Sequence, residues 1–177
     1  YVDSQGILFV GLFLRGKLNG KGIRYSKENN NVYFGDFNNN LRHGYGKDIR
    51  NNFKYEGMFE NDKKCGKGKI EFENGDVYEG GFKDNKFNGY GYFKWKKNGH
   101  EYKGNYLDGK FHGYGYYKFG ENEYYRGEYK NWLKDGKGEI CKSDGTKFYV
   151  TFKKGKPDGI GTFEDKEGNS REIEVVK

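Results

Sequence analysis

The chain has 177 residues, of which 33 are Lys or Arg and 26 Asp or Glu, giving a formal charge of +7; 33% are hydrophobic, 19% are Phe, Trp or Tyr, and 30 are Gly. There is no Ala, and Leu and Val are sparse, which excludes the usual aliphatic core, while the ring content excludes a disordered polar chain. No run of about 18 apolar residues occurs and no charged-then-apolar segment opens the sequence, so neither a spanning helix nor a signal peptide is expected in it, and a cytoplasmic location is expected.

Tyr1 opens the chain without a Met and inside a pattern, so a longer parent protein is expected, with residues 1–8 as a partial copy of a repeating unit. Full copies begin near 9, 33, 55, 78, 102, 125 and 148. Each starts on a ring: Phe9, Tyr33, Tyr55, Tyr78, Tyr102, Tyr125 and Phe148, separated by 24, 22, 23, 24, 23 and 23 residues. With that ring as offset 0, offset 2 is Gly in every copy except at Val150, and offset 4 is Phe13, Phe37, Phe59, Phe82, Tyr106, Tyr129 or Phe152. A G-x-G triplet closes each copy at offsets 11 to 13, from "GKG" at 20–22 to "GIG" at 159–161.

Ring, any, Gly, any, ring is alternation of period two, so offsets 0, 2 and 4 share one face of a strand, with the Gly leaving room for neighbouring rings. A turn rich in Gly, Asn, Asp and Lys comes next, as in "KDNKFNG" and "LDGKFHG", and the second strand is expected to begin at the triplet. Its inward residues fall at offsets 15 and 17: Ile70 and Phe72, Phe93 and Trp95, Tyr117 and Phe119. In the first two copies the apolar residues are Ile23, Tyr25 and Ile49, displaced by one position, which predicts a bulge or irregular strand after those triplets. Each copy is therefore a β-hairpin. A lone hairpin is marginal in water, so the copies are expected to stack, each advancing about 10 Å, into a ribbon about 70 Å long. "REIEVVK", residues 171–177, reads as a closing strand through the alternation of Ile173 and Val175.

The pattern Y-x-G-x-[FYW]…G-K-x-x-G-x-G, clearest in "YEGGFKDNKFNGYGYFKW" (78–95) and "YKGNYLDGKFHGYGYYKF" (102–119), resembles the membrane occupation and recognition nexus (MORN) repeat, over nearly the whole chain. The expected fold class is all-β: an elongated, twisted, single-layer antiparallel sheet of seven stacked hairpins, residues 1–177 making one rod. The resemblance implies a scaffold that binds other proteins, often at membranes or the cytoskeleton and sometimes beside a catalytic domain, with no chemistry in the repeats. Residue usage of an AT-biased genome would suit a scaffold from an apicomplexan-like parasite. Phe9, Phe148 and Val150 depart from the pattern, as do Asn40 and Asp62 in place of the turn glycine and Trp132 in the sixth turn, which leaves the end copies and the turn shapes open.

Several motifs fail as sites. "GLFLRGKL" (11–18) and "GNYLDGKF" (104–111) fit G-x-x-x-x-G-K but lack the following Ser or Thr and the helix that a phosphate loop needs. The G-x-G triplets lack the third Gly and helix of a dinucleotide fingerprint. His43 and His112 share an offset that Asn, Cys and Asp fill elsewhere, which marks a turn position rather than a metal ligand. Cys65 and Cys141 stand about three copies apart, so both are expected as free thiols. No cofactor and no metal are expected, and no enzyme.

Two surfaces remain. Facing away from the buried rings, at offsets 12 and 14, are Tyr45, Tyr90, Tyr92, Tyr114 and Tyr116, where other copies carry Lys or Glu, and Phe34 and Met58 extend the set. These seven are the candidate partner-binding residues, as Tyr and Phe favour interfaces; cross-strand ladders that stabilise the sheet are the competing reading. Lys17, Lys63, Lys86, Lys110 and Lys156 recur at offset 8 and form a candidate basic edge for an acidic protein or an anionic lipid surface, against the alternative of solvated lysines that block aggregation. The favoured function is a non-enzymatic scaffold holding a peptide, a helix or a second copy on the aromatic face, in the cytoplasm or peripheral at a membrane or the cytoskeleton. The alternatives are a lipid-surface module and the accessory repeats of an enzyme whose catalytic domain lies elsewhere. "YGYFKWKK" has the interleaving of a single-strand stacking platform, but near-balanced charge argues against nucleic acid.

Overall fold

The computed structural model describes residues 1–175 and shows an all-β, antiparallel protein with no helix among the described residues. It comprises two compact units, Tyr1–Lys86 and the chain from Phe87 on. The first holds β1 (Ile7–Leu14), β2 (Lys17–Ser26), β3 (Asn31–Asn38), β4 (Leu41–Ile49), β5 (Phe53–Glu60), β6 (Lys63–Phe72) and β7 (Val77–Lys83), each paired with the next. The second holds β8 (Lys86–Lys94) from Phe87 on, β9 (Glu101–Leu107), β10 (Lys110–Lys118), β11 (Tyr124–Lys130), β12 (Leu133–Cys141) and β13 (Lys147–Lys153), paired in the same way. Beyond them β13 pairs with the short β14 (Lys156–Pro157) and with β15 (Ile160–Glu164), which pairs with β16 (Ser170–Glu174). The closing strand expected over 171–177 is thus present to Glu174; Val176 and Lys177 lie outside the described residues.

The ring and the glycines make one device. In the hairpin β11–β12 Gly127 and Gly138 face each other, and the Tyr125 ring lies across both. Its hydroxyl donates to the Glu128 carbonyl at 3.1 Å, and Tyr33, Tyr55, Tyr78 and Tyr102 make the same bond three residues on, at 2.8–3.0 Å. Tyr33, Tyr55, Tyr102 and Tyr125 also meet the offset-4 rings of their own copy and the next edge-on: Tyr55 with Phe59 and Phe82 at 5.1 Å, Tyr125 with Tyr129 at 5.2 Å and Phe152 at 5.5 Å. Such T-shaped contacts suit the ring quadrupole, and they carry the core where aliphatic residues are missing. Tyr55, Tyr78, Tyr102 and Tyr125 are the largest fully buried side chains.

Two expectations about the second strand are corrected. It begins at offset 8, as at Lys17 in β2 and Lys63 in β6, not at the triplet. The irregularity lies before the second Gly of the triplet, taking in its first two residues, and is shared: the register shifts within β1–β2, β3–β4, β5–β6, β9–β10 and β11–β12. In the described registers no copy slips after its triplet. Phe9 pairs with Arg24 and Tyr33 with Asp48, as Tyr55 pairs with Ile70 and Tyr125 with Ile140, so the ring-face residues of the first two copies are charged and Ile23 and Ile49 face away.

The turns that the sequence left open share one shape. Both central residues have positive φ in all seven, including Asn39 and Asn40, Asn61 and Asp62, and Asn131 and Trp132 (φ 50 and 76°), the backbone of a type I′ turn. Each later turn is clipped to the preceding hairpin. The amides of Asn40, Asp62 and Asn85 donate to the carbonyls of Leu18, Arg42 and Lys64, and their side-chain oxygens accept the amides of those same residues at 2.7–3.0 Å.

Candidate functional site

The outward face is read from the registers. In the second unit one continuous row runs Tyr92, Lys103, Tyr116, Arg126, Glu139, Tyr149, Thr162 and Glu172, each the cross-strand partner of the next. A second row holds Tyr90 opposite Asn105, Tyr114 opposite Glu128, and Lys137 opposite Thr151. Bare backbone separates the rows. Across β10 to β16 this face opens into a groove of about 500 Å³, walled by Tyr114 and Lys137 from one row, by Arg126, Glu139 and Tyr149 from the other, and by Ile160 of β15.

The four candidate tyrosines of this unit divide by row. Tyr92 lies under the Lys103 ammonium at 5.4 Å, and Tyr116 packs on Tyr124 at 5.2 Å; both are half-buried, and burial raises both phenols above their usual range. Tyr90 and Tyr114 are 66% and 58% exposed and make no ring contact or side-chain hydrogen bond among the described residues. The groove's polar anchor is Glu139, buried although it faces outward, which accepts from the Tyr124 hydroxyl at 2.6 Å and from Arg126 Nε at 2.8 Å.

The other three candidates lie in the first unit and are not one cluster. Tyr45 and Met58 are cross-strand partners, and the Tyr45 hydroxyl is tied to Glu56. Phe34 sits in the neighbouring row with Ile23 and Val10, and beyond it the row turns into alternating charge, Lys47, Glu56, Lys69 and Glu79. Lys17, Lys63, Lys86, Lys110 and Lys156 each open the second strand of their hairpin. That edge is not purely basic, for Asp62, Asp84 and Asp108 occupy its turns and Asp84 pairs with Lys63 at 2.8 Å. Cys65 and Cys141 are free cysteines, and among the described residues no three His, Cys, Asp or Glu side chains are grouped as metal ligands.

The profile of the MORN repeat matches residues 9–30, 33–47, 55–77, 78–100, 102–122, 125–147 and 151–170. The chain belongs to the MORN repeat family. None of the curated proteins matches it. Among solved structures, the MORN chain is similar to the TCP domain of SAS-4 (dCPAP) from Drosophila melanogaster, in complex with a proline-rich motif of Ana2 (dSTIL), at a TM-score of 0.54 and 12% identity, over 89% of this chain and 84% of that one. It is also similar to the TCP10c domain of Drosophila melanogaster Sas-4, at a TM-score of 0.50 and 14% identity over 89% and 93%. At such identities the likeness is one of fold.

The MORN pattern does not account for the charges on the ring face, which sequence reasoning missed. Offset 9 points inward, and in the second, third, fifth and sixth copies a ring or a cation there covers the offset-0 ring. Phe111 stacks on Tyr102 at 3.7 Å, whereas Arg42 lies 5.7 Å over Tyr33, Lys64 4.9 Å over Tyr55 and Lys134 4.4 Å over Tyr125. Desolvation pulls the Lys64 ammonium down to about 8, and Lys134 shifts the same way. Asp48, 3% exposed, accepts from Arg42 at 2.8 Å and pairs with Arg50 at 3.1 Å, and Arg42 also reaches Asp62 at 2.9 Å. Reading offsets 9 and 15 straight through the triplet, without assuming a slip, would have placed these charges together.

Proposed function

We propose that this MORN chain is a non-enzymatic protein-interaction module that holds a peptide segment of a partner on the outward face of its second unit. The observation that carries this reading is Tyr90 and Tyr114: two exposed rings, engaged with nothing on their own sheet, at positions where the repeat tolerates Lys. Tyr114 walls a groove with Arg126, Lys137 and Glu139 within it, so apolar anchoring and charge selection sit side by side. Half-buried Tyr92 and Tyr116 support that face from below as ladder residues. The solved TCP domain of similar fold is in complex with a proline-rich motif, which supports a peptide as the kind of ligand such a face accepts.

The test is a capture experiment from the source cell with wild-type protein and the double variant Tyr90→Ser, Tyr114→Ser, matched for circular dichroism, with Tyr45→Ser as the control on the other unit. The proposal expects one or more partners to disappear from the double variant and to persist with the control. Partners retained by the double variant would remove the reading.

A further inference from the structure

We infer that the ring face of the first unit carries an oxyanion site for a single phosphoryl group, centred on Arg24. The site is a cavity of about 240 Å³ whose charged lining is Arg24, Arg42, Arg50 and Asp48. Arg42 and Arg50 are engaged by Asp48, and Arg42 by Asp62 as well. Arg24 has no carboxylate among the described residues: the residue is half-buried, its guanidinium carbon lies 5.9 Å above the Phe9 ring, and no ion pair answers it. A half-buried arginine without a carboxylate keeps its donors available, and its planar fork matches phosphoryl oxygens.

A second observation is independent of that charge. Ser26, Asn29 and Asn31 line the same cavity, and their side chains make no hydrogen bond among the described residues. Hydroxyl, amide and guanidinium donors therefore approach one small space from β2, the β2–β3 turn and β3, an arrangement that suits the several oxygens of a tetrahedral anion better than the two of a planar carboxylate.

The repeat supplies the third argument. At offsets 15 and 17 the third, fourth and fifth copies carry Ile70 and Phe72, Phe93 and Trp95, Tyr117 and Phe119, which pack the ring face. The first two copies carry Arg24 and Ser26, then Asp48 and Arg50. Four polar residues stand where the fold is served by apolar ones, and while Arg42 and Arg50 are answered by Asp48 and Asp62, Arg24 is left over; a local rule broken without compensation marks a site. The volume is below that of pockets for drug-sized ligands, so the occupant is one phosphoryl group and the few atoms that carry it, either free phosphate or a phosphorylated side chain of a peptide.

The test is calorimetric titration of the whole chain with inorganic phosphate, with a Gly-Ser peptide bearing one phosphoserine, with the same peptide unphosphorylated, and with acetate. One-to-one binding of phosphate or the phosphopeptide is expected, with acetate and the plain peptide weaker by about 10-fold or more, because a charge-assisted fork distinguishes them. Saturation by phosphate alone identifies the free ion as the source, and a tighter phosphopeptide identifies the side chain. Arg24→Gln should weaken phosphate by about 10-fold or more, and Arg24→Lys by less, since it keeps the charge and loses the fork. Ser26→Ala, outside the ion network, provides a second variant if Arg24→Gln fails to fold, and should weaken phosphate with unchanged circular dichroism. No saturable phosphate binding, equal affinity for acetate, an Arg24→Gln protein that binds as wild type, or binding seen only on phosphatidic-acid vesicles would each overturn the inference.

Discussion

A methyl group added at Gly138 would lie 2.4 Å from Cε2 of Tyr125, closer than real contacts allow, and the Tyr125 ring is held in place by its bond to the Glu128 carbonyl. Gly138→Ala is therefore expected to destabilise by about 1–3 kcal/mol in urea unfolding, as overpacking does, whereas Tyr125→Phe should cost about 1 kcal/mol, the hydrogen bond alone. The double change Gly138→Ala, Tyr125→Leu should lose less than the sum of its parts, because the methyl no longer meets a ring. A second residue-scale prediction concerns pH. Lys64 titrates at about 8 in the folded protein against an ordinary 10.5, so between those values the unfolded chain holds a proton that the native one has released, and stability rises with pH. Buried Tyr55 and Tyr78 are shifted far above their ordinary 10.0; beyond pH 10 the unfolded phenols ionise first and stability falls. Urea midpoints should thus climb from pH 7.5 to a maximum near pH 10, and Lys64→Met should flatten the climb, with Lys134 supplying what remains.

At the scale of the element, the turn both closes its own hairpin and ties down the previous one. Asn40 has φ 71°, its amide donates to the Leu18 carbonyl, and its Oδ1 accepts the Leu18 amide at 2.7 Å. Asn40→Gly keeps the backbone and loses one bond, so a loss of about 1 kcal/mol is expected, and Asn40→Ala adds the left-handed penalty for about 2 kcal/mol in total. Equal losses in thermal melts would show that the side-chain clip, not the backbone, decides. The hairpins were legible because a strand face repeats every second residue and every copy has rings there. The bulge was not legible: it falls mostly among Gly and Lys, with Asn, His, Asp or Tyr in some copies, at offsets 10 to 12, where the pattern does not reveal a facing. Ile23 and Ile49 looked like displaced core residues for the same reason that Arg24 and Asp48 did not look like core at all, since the ring face was assumed apolar. Tyr90 and Tyr114 could be singled out in sequence, because they exceed what the repeat requires, but their difference from Tyr92 and Tyr116 depends on which neighbour lies across the strand.

At the scale of the molecule, each unit is built from strands that pair with their neighbours in sequence, β13 with β15 past the two-residue β14 being the one step over, so no central core spreads a local loss across the unit. Stability in such a chain is close to a sum of copies and the interfaces between adjacent copies. Native-state hydrogen exchange reads that architecture directly. Gly138→Ala should speed exchange in β11, β12 and β13, where Gly138 pairs with Gly127 and Val150, while amides of β8 and β9 in the same unit change by less than about twofold. Gly68→Ala, whose methyl would meet Tyr55 at 2.6 Å, should do the same to β5, β6 and β7 and spare β1 and β2. Acceleration of every strand of a unit by one factor would mean that the unit opens as a whole, and that the edge-on contacts from Tyr55 to Phe82 and from Tyr125 to Phe152 couple copies more strongly than backbone pairing separates them. Graded exchange would also locate where a partner acts. A peptide seated on the face of Tyr114 and Arg126 should protect β10 to β13, and phosphate at Arg24 should protect β2 to β4, so one experiment on the intact chain reads both sites by which copies it quiets.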